Sequence, residues 1–262
     1  MTGFRAALVT GAGRRLGRAM ALDLAAQGIA VAVHYNASRD AAEAVAAEAR
    51  ALGVAAAAIG ADLLDRAETA RLVPAAAAAL GAPLDVLVNN ASIFEHDTIA
   101  TATAASWDRH IGSNLRAPFE LIQAFAAQAP RAGRDAAGEP VARAAAVNMI
   151  DQRVRKLTPE FATYTIAKAA LWALTRTAAQ GLAPDVRVNA IGPGPTLIAE
   201  RQSGAHFARQ RAATVLGRGA SPAEVCAALR FLLAAPGVTG QLICVDGGQH
   251  LGWKTPDVVG VE

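Results

Sequence analysis

The chain has 262 residues, of which 53% are hydrophobic and 18% charged, so it can bury a full core; we predict one α/β domain over residues 1–262 and exclude a disordered chain. The net charge is only +3 and the Lys and Arg residues are scattered, which excludes the long basic stripe of a nucleic-acid-binding protein. No apolar run approaches the about 20 residues of a membrane span, and residues 1–5 lack the layout of a signal peptide, so we expect a cytoplasmic protein without a membrane partner.

The first predicted strand, Ala6 to Val9, leads into a glycine-containing turn, residues 10–17, with the sequence TGAGRRLG. A helical pattern follows from Arg18 to Gln27. The glycines allow a tight turn and the close approach of a pyrophosphate, and the helix N-terminus offers unpaired N–H groups and the positive end of the helix dipole. A purely structural turn is the alternative, but the flanking strand and helix favour a dinucleotide-binding turn.

Six further apolar runs alternate with helical patterns along the rest of the chain. The predicted strands are residues 30–35, 54–60, 84–88, 142–150, 186–191 and 242–245, and the predicted helices are residues 40–52, 65–80, 104–128, 164–181 and 222–234. This alternation is typical of the doubly wound Rossmann fold, and we predict a seven-stranded parallel sheet with helices on both faces. Residues 129–140 are predicted as a surface loop, and Cys226 and Cys244, which lack metal-ligand spacing, as buried free thiols.

The segment after the second predicted strand, residues 34–39, contains no Asp or Glu that could bind the 2′-hydroxyl of an adenosine ribose. Arg14 and Arg15 of the glycine turn, together with Ser38 and Arg39, would instead attract a 2′-phosphate. We therefore predict NADPH rather than NADH as the cofactor, although each arginine alone could be an ordinary surface residue. The predicted contacts from residues after the second and third strands are His34, Tyr35, Asn36, Ser38, Asp62 and Leu63. Capping of the next helix is the alternative role of Asp62.

Tyr164 and Lys168 are four residues apart in a predicted helix, so their side chains project from the same helical face. A cation close to a phenol stabilises the phenolate and lowers the pKa of the phenol from about 10, which would make Tyr164 a proton donor and acceptor. An isolated pair of this kind is more often a solvated helix face. Together with the glycine turn, the pair predicts a site of proton transfer.

In this order along the chain, the motifs resemble those of the short-chain dehydrogenase/reductase family. Beside the glycine turn and the Tyr164 and Lys168 pair, they are Asn89-Asn90-Ala91-Ser92 after the fourth strand, Asn114 in the long helix, Pro193-Gly194 after the sixth strand, and Asp246-Gly247-Gly248. The resemblance implies a Rossmann fold, a nicotinamide cofactor and an oxidoreductase. It also implies a proton-relay water held by Asn114 and cofactor contacts for Gly11, Leu16, Gly17, Asn89, Ala91, Tyr164, Lys168, Pro193, Gly194 and Thr196.

One position departs from the family pattern, because Asp151 occupies the place of the catalytic serine, thirteen residues before Tyr164. Two interpretations are a decayed enzyme and a subgroup in which aspartate belongs. The second is favoured, because the chain is similar to pteridine reductases and dihydromonapterin reductases. That similarity rests on Asp151, on Arg15-Leu16-Gly17 in the glycine turn, and on His34-Tyr35 after the second strand.

The same similarity implies a set of substrate contacts. Phe94 would stack on a flat pterin ring, with an ordinary core position as the alternative. Ser92 and Arg15 would bind the amide edge of the pterin or the cofactor phosphates, and Asp151 would meet a ring nitrogen. Gly194 and the substrate loop, about residues 193–220, would close the site.

We expect an NADPH-dependent reductase that transfers hydride to a C=N bond of a dihydropterin-type substrate. Tyr164 would donate the proton, Lys168 would tune Tyr164, and a buried Asp151 with a raised pKa could itself share protons with the ring. The alternatives are a generic ketone, sugar or acyl-thioester reductase and a protein that senses NADPH without turnover. The resemblance also implies a homotetramer built on helices 104–128 and 164–181, with residues 251–253 reaching a neighbouring site.

Overall fold

The computed structural model of the protein describes residues 3–198 and 202–255. Within these residues, one parallel sheet has seven strands in the order β3-β2-β1-β4-β7-β8-β9, which confirms the predicted sheet. In chain order, the strands are β1 (Ala6–Val9), β2 (Ala30–Tyr35), β3 (Ala56–Gly60), β4 (Val86–Asn89), β5 (Gly133–Arg134), β6 (Pro140–Val141), β7 (Ala144–Met149), β8 (Val186–Pro193) and β9 (Leu242–Val245). The short strands β5 and β6 form an antiparallel hairpin inside and just beyond the predicted surface loop.

Helices cover both faces of the sheet. They are α1 (Arg15–Ala26), α2 (Arg39–Ala51), α3 (Arg66–Leu80), α4 (Ala104–Ile111), α5 (Ala117–Gln128), α6 (Ala162–Gly181), α7 (Gly204–Ala212) and α8 (Pro222–Ala234). The prediction of one helix over residues 104–128 is wrong in detail, because a π-helical turn, Gly112–Arg116, separates α4 from α5. Helix α7 was not predicted, and it lies in the expected substrate loop, whose residues 199–201 are outside the described residues.

Two apolar layers hold the helices to the sheet. Met20 of α1, Val45 of α2 and Leu229 of α8 pack on one face, while Leu72 of α3 and Phe125 of α5 pack on the other. All five side chains are almost completely buried, and the central strands alternate their side chains between the two layers. The near-continuous apolar runs of the sequence therefore mark strands that are buried on both faces.

The strand order creates a crevice at one edge of the sheet. Strand β1 lies between β2 and β4, so the chain reverses direction across the sheet when it passes from β3 to β4. Such a switch point opens a crevice beyond the carboxyl ends of the strands, where ligands bind in this fold.

The two cysteines form no disulfide, as expected, but only Cys226 is fully buried and Cys244 is half-buried. Burial raises the pKa of each thiol to about 11, so both are thiols rather than thiolates at neutral pH.

Among the described residues, no helix has both the length and the apolar character needed to cross a membrane. The described part of the chain also brings together no group of His, Cys, Asp and Glu side chains that could hold a metal ion.

Candidate active site

A cleft of about 650 Å³ lies at the carboxyl ends of β1, β4, β7 and β8. Most of the predicted site residues line it, and they are Gly11, Arg14, Arg15, Leu16, Gly17, His34, Asn36, Asp62, Leu63, Ala91, Ser92, Phe94, Asp151, Pro193, Gly194 and Thr196. Six predicted residues are not part of its wall: Tyr35, Ser38, Asn89, Asn114, Tyr164 and Lys168. The cleft thus extends from the glycine turn to Asp151. The six other predicted residues lie outside the cleft lining.

The glycine turn has the geometry of a pyrophosphate cradle. Gly11 adopts a φ of +61°, and a Cβ on Gly17 would lie 2.3 Å from the Gly11 carbonyl oxygen, so larger residues cannot be accommodated at Gly17. Helix α1 begins directly after the turn, without a side-chain cap and without an acidic residue in its first turn. Its first N–H groups are therefore free to bind an anion, and the turn fits the phosphates of a dinucleotide.

His34 is buried, and both of its ring nitrogens form hydrogen bonds, one of them to the glycine turn. Its Nδ1 accepts a hydrogen bond from the Gly11 N–H (3.0 Å), so its Nε2–H donates to the Ala61 carbonyl (3.0 Å). Burial lowers the pKa of His34, which keeps the ring neutral as this arrangement requires. Tyr35 packs against Gly60 instead of lining the cleft, so its predicted cofactor contact is not supported by the structure.

The two asparagines after β4 have different positions, and the structure does not bring Asn89 into the wall of the cleft. Asn89 is buried and its Nδ2 donates to Asn148 Oδ1 (2.9 Å), which ties β4 to β7. Asn90 lines the cleft instead, where its Nδ2 donates to the Thr10 carbonyl (2.8 Å). Thr10 Oγ1 in turn accepts hydrogen bonds from the N–H groups of Asn90 and Ala91. The alternation of side chains along a strand could have distinguished Asn89 from Asn90 in the sequence, because consecutive side chains point in opposite directions.

The position of Arg15 differs from the one expected for a 2′-phosphate ligand. Its guanidinium donates to the carbonyl oxygens of Leu197 (3.0 Å) and Ile198 (2.6 Å), so it links the glycine turn to the substrate loop. Arg15 also has a φ of +55°. Two arginines remain as predicted ligands of the 2′-phosphate. They are Arg14, which lines the cleft, and Arg39 at the start of α2.

Ser38 and Asp62 flank the predicted adenosine position. Ser38 precedes α2 but its hydroxyl makes no capping hydrogen bond, so the first N–H groups of that helix remain available to an anion. Asp62 Oδ1 accepts a hydrogen bond from the Leu64 N–H (2.9 Å). The alternative that Asp62 caps the next helix is wrong, because Asp65 caps α3 through the N–H groups of Ala67 and Glu68.

The centre of the site is a partly buried hydrogen bond between Tyr164 and Asp151. The Tyr164 hydroxyl donates to Asp151 Oδ2 (3.0 Å), and Asp151 Oδ1 accepts from the Arg153 N–H (2.8 Å). Lys168 Nζ lies 5.7 Å from the centre of the Tyr164 ring and donates to the Met149 carbonyl (2.8 Å). The structure therefore confirms that Tyr164 and Lys168 share a helix face, and it places the Asp151 carboxyl group in contact with the Tyr164 hydroxyl.

Burial changes the proton affinities of these three groups. It raises the pKa of Asp151, as expected, and lowers the pKa of Lys168 to about 8. The pKa of Tyr164 is raised well above its ordinary value by burial and then by the Asp151 carboxylate, while a hydrogen bond from Ser92 acts in the opposite direction. The expected net lowering of the Tyr164 pKa is therefore not observed. In this state the phenol holds its proton firmly.

Asn114 lies in the π-helical turn and acts on the backbone after β4. Its Nδ2 donates to the Ile93 carbonyl (2.8 Å) and its Oδ1 accepts from the Ile93 N–H (3.0 Å). The structure therefore assigns Asn114 to holding the segment that carries Ser92 and Phe94, and the predicted relay water stays a prediction. π-Helical turns of this kind are frequent at functional sites.

Phe94 lines the cleft and packs against two aromatic residues that lie outside the cleft wall. The Phe94 ring centre lies 4.3 Å from that of Phe161, with an interplanar angle of 27°, and 4.4 Å from that of Tyr164. Phe94 is half-buried and lines the cleft, so the alternative of an ordinary core position is wrong. A flat ring could therefore be stacked directly beside the Tyr164 and Asp151 pair.

Sequence reasoning missed several residues of the wall. They are Asn90, Arg109, Ser113, Gln152, Arg153, Gln202, Phe207, Gln210 and Gln249. Arg109, Phe207 and Gln210 lie in α4 and α7, and Gln202 lies in a loop, where no motif marks them. Asn90, Ser113, Gln152 and Arg153 could have been inferred, because each lies next to or close behind a predicted site residue in the sequence.

Comparison with known proteins identifies the family. A family model described as enoyl-(acyl carrier protein) reductase matches residues 11–250. The 3-oxoacyl-(acyl-carrier-protein) reductase FabG of Staphylococcus aureus strain N315 is 33% identical over 252 residues, covering 94% of this chain and 98% of the relative. The alternative dihydrofolate reductase FolM of Brucella suis, in complex with NADP, is 42% identical with a TM-score of 0.91, covering 99% of this chain and all of that one.

A blue fluorescent protein from a metagenomic library, in complex with NADPH, is 31% identical with a TM-score of 0.84, and the match covers 94% of this chain and 97% of that chain. The similarities extend over nearly the whole chain and include both the glycine turn and the Tyr164 and Lys168 pair. The protein therefore belongs to the short-chain dehydrogenase/reductase family.

Proposed function

We propose that the protein is an NADPH-dependent reductase of a C=N bond in a dihydropterin-type substrate, such as dihydromonapterin, dihydrobiopterin or dihydrofolate. The observation that carries the proposal is the hydrogen bond from Tyr164 to Asp151, a carboxyl group that can exchange a proton with a ring nitrogen. The stacking wall at Phe94 adds a place for a planar ring. The similarity to the Brucella suis dihydrofolate reductase supports the same substrate class.

In this reaction the nicotinamide of the bound cofactor supplies the hydride. The glycine turn and the first N–H groups of α1 hold the cofactor phosphates, and Lys168, fixed by Met149, holds the ribose end of the site. Tyr164 donates the proton, and Asp151, to which the phenol is bonded, orients it and can return a proton to the phenol oxygen. Tyr164 is buried behind the wall of the cleft, whereas the half-buried Asp151 lines the cleft and can meet a substrate there.

A ketone or 3-oxoacyl reductase is the second candidate. It is favoured by the similarity to the Staphylococcus aureus 3-oxoacyl reductase and by the Tyr164 and Lys168 pair, which does not depend on the substrate. A protein that only senses NADPH is disfavoured, because the buried Tyr164, Asp151 and Lys168 form a complete proton-transfer group.

NADPH consumption measured with dihydrobiopterin, dihydromonapterin, dihydrofolate and a panel of ketones and 3-oxoacyl thioesters tests the proposal. We expect turnover of at least one dihydropterin and little turnover of simple ketones. Brisk ketone or thioester reduction without pterin reduction would establish the second candidate. NADPH binding without turnover of any substrate would favour the sensing protein.

NADPH should bind at least about tenfold more tightly than NADH, because residues 34–39 contain no Asp or Glu to repel a 2′-phosphate, and Arg14 and Arg39 lie near this segment. Arg39→Glu should remove most of this preference by weakening NADPH binding and leaving NADH binding nearly unchanged. Arg15→Glu is the matched control, since Arg15 is bonded to Leu197 and Ile198, and it should keep the preference. Fluorescence titration measures both dissociation constants. Equal constants for the two cofactors in the unmodified protein would contradict the prediction.

We also propose a homotetramer that uses the outer faces of α4, α5 and α6. These helices expose Trp107, Phe119 and Ile166, each of which is at least 40% accessible to solvent. Light scattering should give a mass of about four times 26.8 kDa. Phe119→Glu should shift the protein to smaller species, whereas Phe231→Glu on α8, another exposed aromatic residue, is the matched control and should not disturb this interface. A monomer at micromolar concentration would contradict the proposal.

A further inference from the structure

Four polar side chains form a connected cluster beside Tyr164 that the proposed chemistry does not use. The cluster consists of Asp97, Ser106, His110 and Thr163, and we call it the α6 anchor. Asp97, His110 and Thr163 are at most 3% accessible to solvent, and none of the four lines the cleft. Buried polar groups are costly unless they are hydrogen-bonded, so the partners of each member indicate what the cluster does.

The donors and acceptors of Asp97, His110 and Thr163 fit together in only one direction. The Glu95 N–H donates to His110 Nε2 (3.1 Å), so the proton of the neutral ring is on Nδ1. His110 Nδ1–H then donates to Thr163 Oγ1 (2.7 Å), and the Thr163 hydroxyl donates to Asp97 Oδ2. The Ser106 hydroxyl lies 3.1 Å from both Asp97 Oδ2 and the Thr103 carbonyl oxygen, and it can donate to either acceptor.

The electrostatics of the α6 anchor match this direction. Burial lowers the pKa of His110, against the nearby carboxylates of Asp97 and Glu95, and this keeps the ring neutral. Burial acts to raise the pKa of Asp97, but the hydrogen bonds from Thr163 and Ser106 outweigh it and hold the pKa below its ordinary value. Asp97 is therefore ionised and His110 neutral at physiological pH.

The α6 anchor replaces a cap that helix α6 lacks. The residue before the helix, Phe161, has a left-handed φ of 58° and makes no side-chain capping hydrogen bond. Asp97 is 66 residues before Thr163 in the chain. Its carboxylate accepts a hydrogen bond from the Thr163 N–H (3.1 Å), and its backbone carbonyl accepts one from the Ala162 N–H (3.2 Å). A carboxylate at this end also interacts favourably with the helix dipole.

The first turn of α6 carries the proposed proton donor, because Thr163 directly precedes Tyr164 in the chain. The His110 ring also meets the Tyr164 ring edge-on, with their centres 6.1 Å apart. The α6 anchor therefore contacts the backbone before Tyr164 and the ring of Tyr164 itself.

We propose that Asp97, Thr163 and His110 are positioning residues that hold the Tyr164 hydroxyl in its hydrogen bond to Asp151. The inference rests on the proposed role of Tyr164 as proton donor, but it does not depend on which substrate is reduced. Loss of the α6 anchor should lower the proton-transfer rate more than it lowers cofactor affinity, because none of its members lines the cleft.

A pair of substitutions at Thr163 tests the proposal by kinetics. Thr163→Val keeps the shape but removes the hydroxyl, and it should lower kcat by about tenfold or more while changing the NADPH dissociation constant less than about twofold. Thr163→Ser keeps the hydroxyl and should restore most of the activity. The matched control is Thr165→Val in the same helix, since the Thr165 Oγ1 is buried without a hydrogen-bond partner in the structure. It should leave kcat unchanged.

A second readout does not require activity. The chain contains only two tyrosines, so Tyr35→Phe leaves Tyr164 as the single phenol, and its ionisation can be followed by tyrosinate absorbance. In that background Tyr164 should show no ionisation until well above pH 10. Addition of Thr163→Val should lower the pKa of Tyr164, because the contribution of the Asp151 carboxylate is weakened while burial remains, and circular dichroism should show that the fold is retained. Addition of Thr165→Val should leave the titration unchanged.

The outcomes separate this inference from the proposed function. If Thr163→Val matches Thr165→Val in both kcat and tyrosine titration, the α6 anchor does not position Tyr164 and the inference is wrong. If Thr163→Val does not fold, Ser106→Ala is the second test, because it removes a hydroxyl that contacts Asp97. A severalfold fall in kcat supports the inference, and an unchanged kcat overturns it. If the protein reduces only ketones, the same variants are assayed on a ketone, so failure of the substrate proposal does not affect the test.

Discussion

Tyr164→Phe is expected to lower kcat by a factor of about 10² or more while leaving the NADPH dissociation constant nearly unchanged. The substitution removes only the hydroxyl that donates to Asp151, and the ring keeps its contacts with Phe94 and His110. Steady-state kinetics on the best substrate and fluorescence titration of NADPH measure the two quantities. The phenol does not line the cofactor part of the cleft, which is why binding should survive.

Lys168→Ala is the informative companion, and it should impair both turnover and cofactor binding. Burial lowers the pKa of Lys168 to about 8, so its positive charge is present below that pH and is lost as the pH rises through it. Turnover should accordingly fall on the alkaline side with a midpoint near 8, and this limb should be absent in Lys168→Met. Wild-type turnover in Tyr164→Phe would mean that the proton comes from another group, and Asp151 would be examined first.

Asp151→Asn is expected to abolish most dihydropterin reduction, by a factor of about 10² or more, because the amide keeps the shape but cannot exchange a proton. The limb of the pH–rate profile that belongs to Asp151 should disappear with it. Asp151→Ser restores the hydroxyl found in most of the family, and it should weaken pterin reduction while permitting slow reduction of a small ketone. Full pterin reduction by Asp151→Asn would show that the carboxyl group has no role as an acid.

Asp151→Asn should increase the stability of the fold although it lowers activity. The pKa of Asp151 is raised in the folded protein, so its contribution to stability is largest below its ordinary value of 3.8 and is lost as the pH rises through the folded value. At neutral pH, Asp151→Asn should therefore raise the thermal midpoint, and this advantage should shrink toward acid pH. A catalytic group that destabilises its own fold is expected where burial serves the chemistry.

The sheet and its order of elements could be predicted because buried parallel strands are recognisable as short apolar runs. The runs at residues 6–9 and 242–245 match β1 and β9 residue for residue. The glycine turn, Tyr164, Lys168 and Asp151 were recognisable because their spacing is local. These features set the centre of the site.

Other features depend on contacts between distant parts of the chain, and no local pattern reports them. The guanidinium of Arg15 is bonded to residues more than 180 positions away, and the partner of the Asn89 side chain, Asn148, is 59 positions away. The π-helical turn after α4 interrupts a sequence with an uninterrupted helical pattern, and it places Asn114 against Ile93. Such contacts are established by tertiary packing, which overrides local propensity.

The bonds of Arg15 to Leu197 and Ile198 have a thermodynamic consequence. One side chain of the glycine turn holds the backbone of the predicted substrate loop, so a change of either segment on binding would affect the other. Coupling of this kind is reciprocal: if NADPH tightens substrate binding by some factor, the substrate tightens NADPH binding by the same factor.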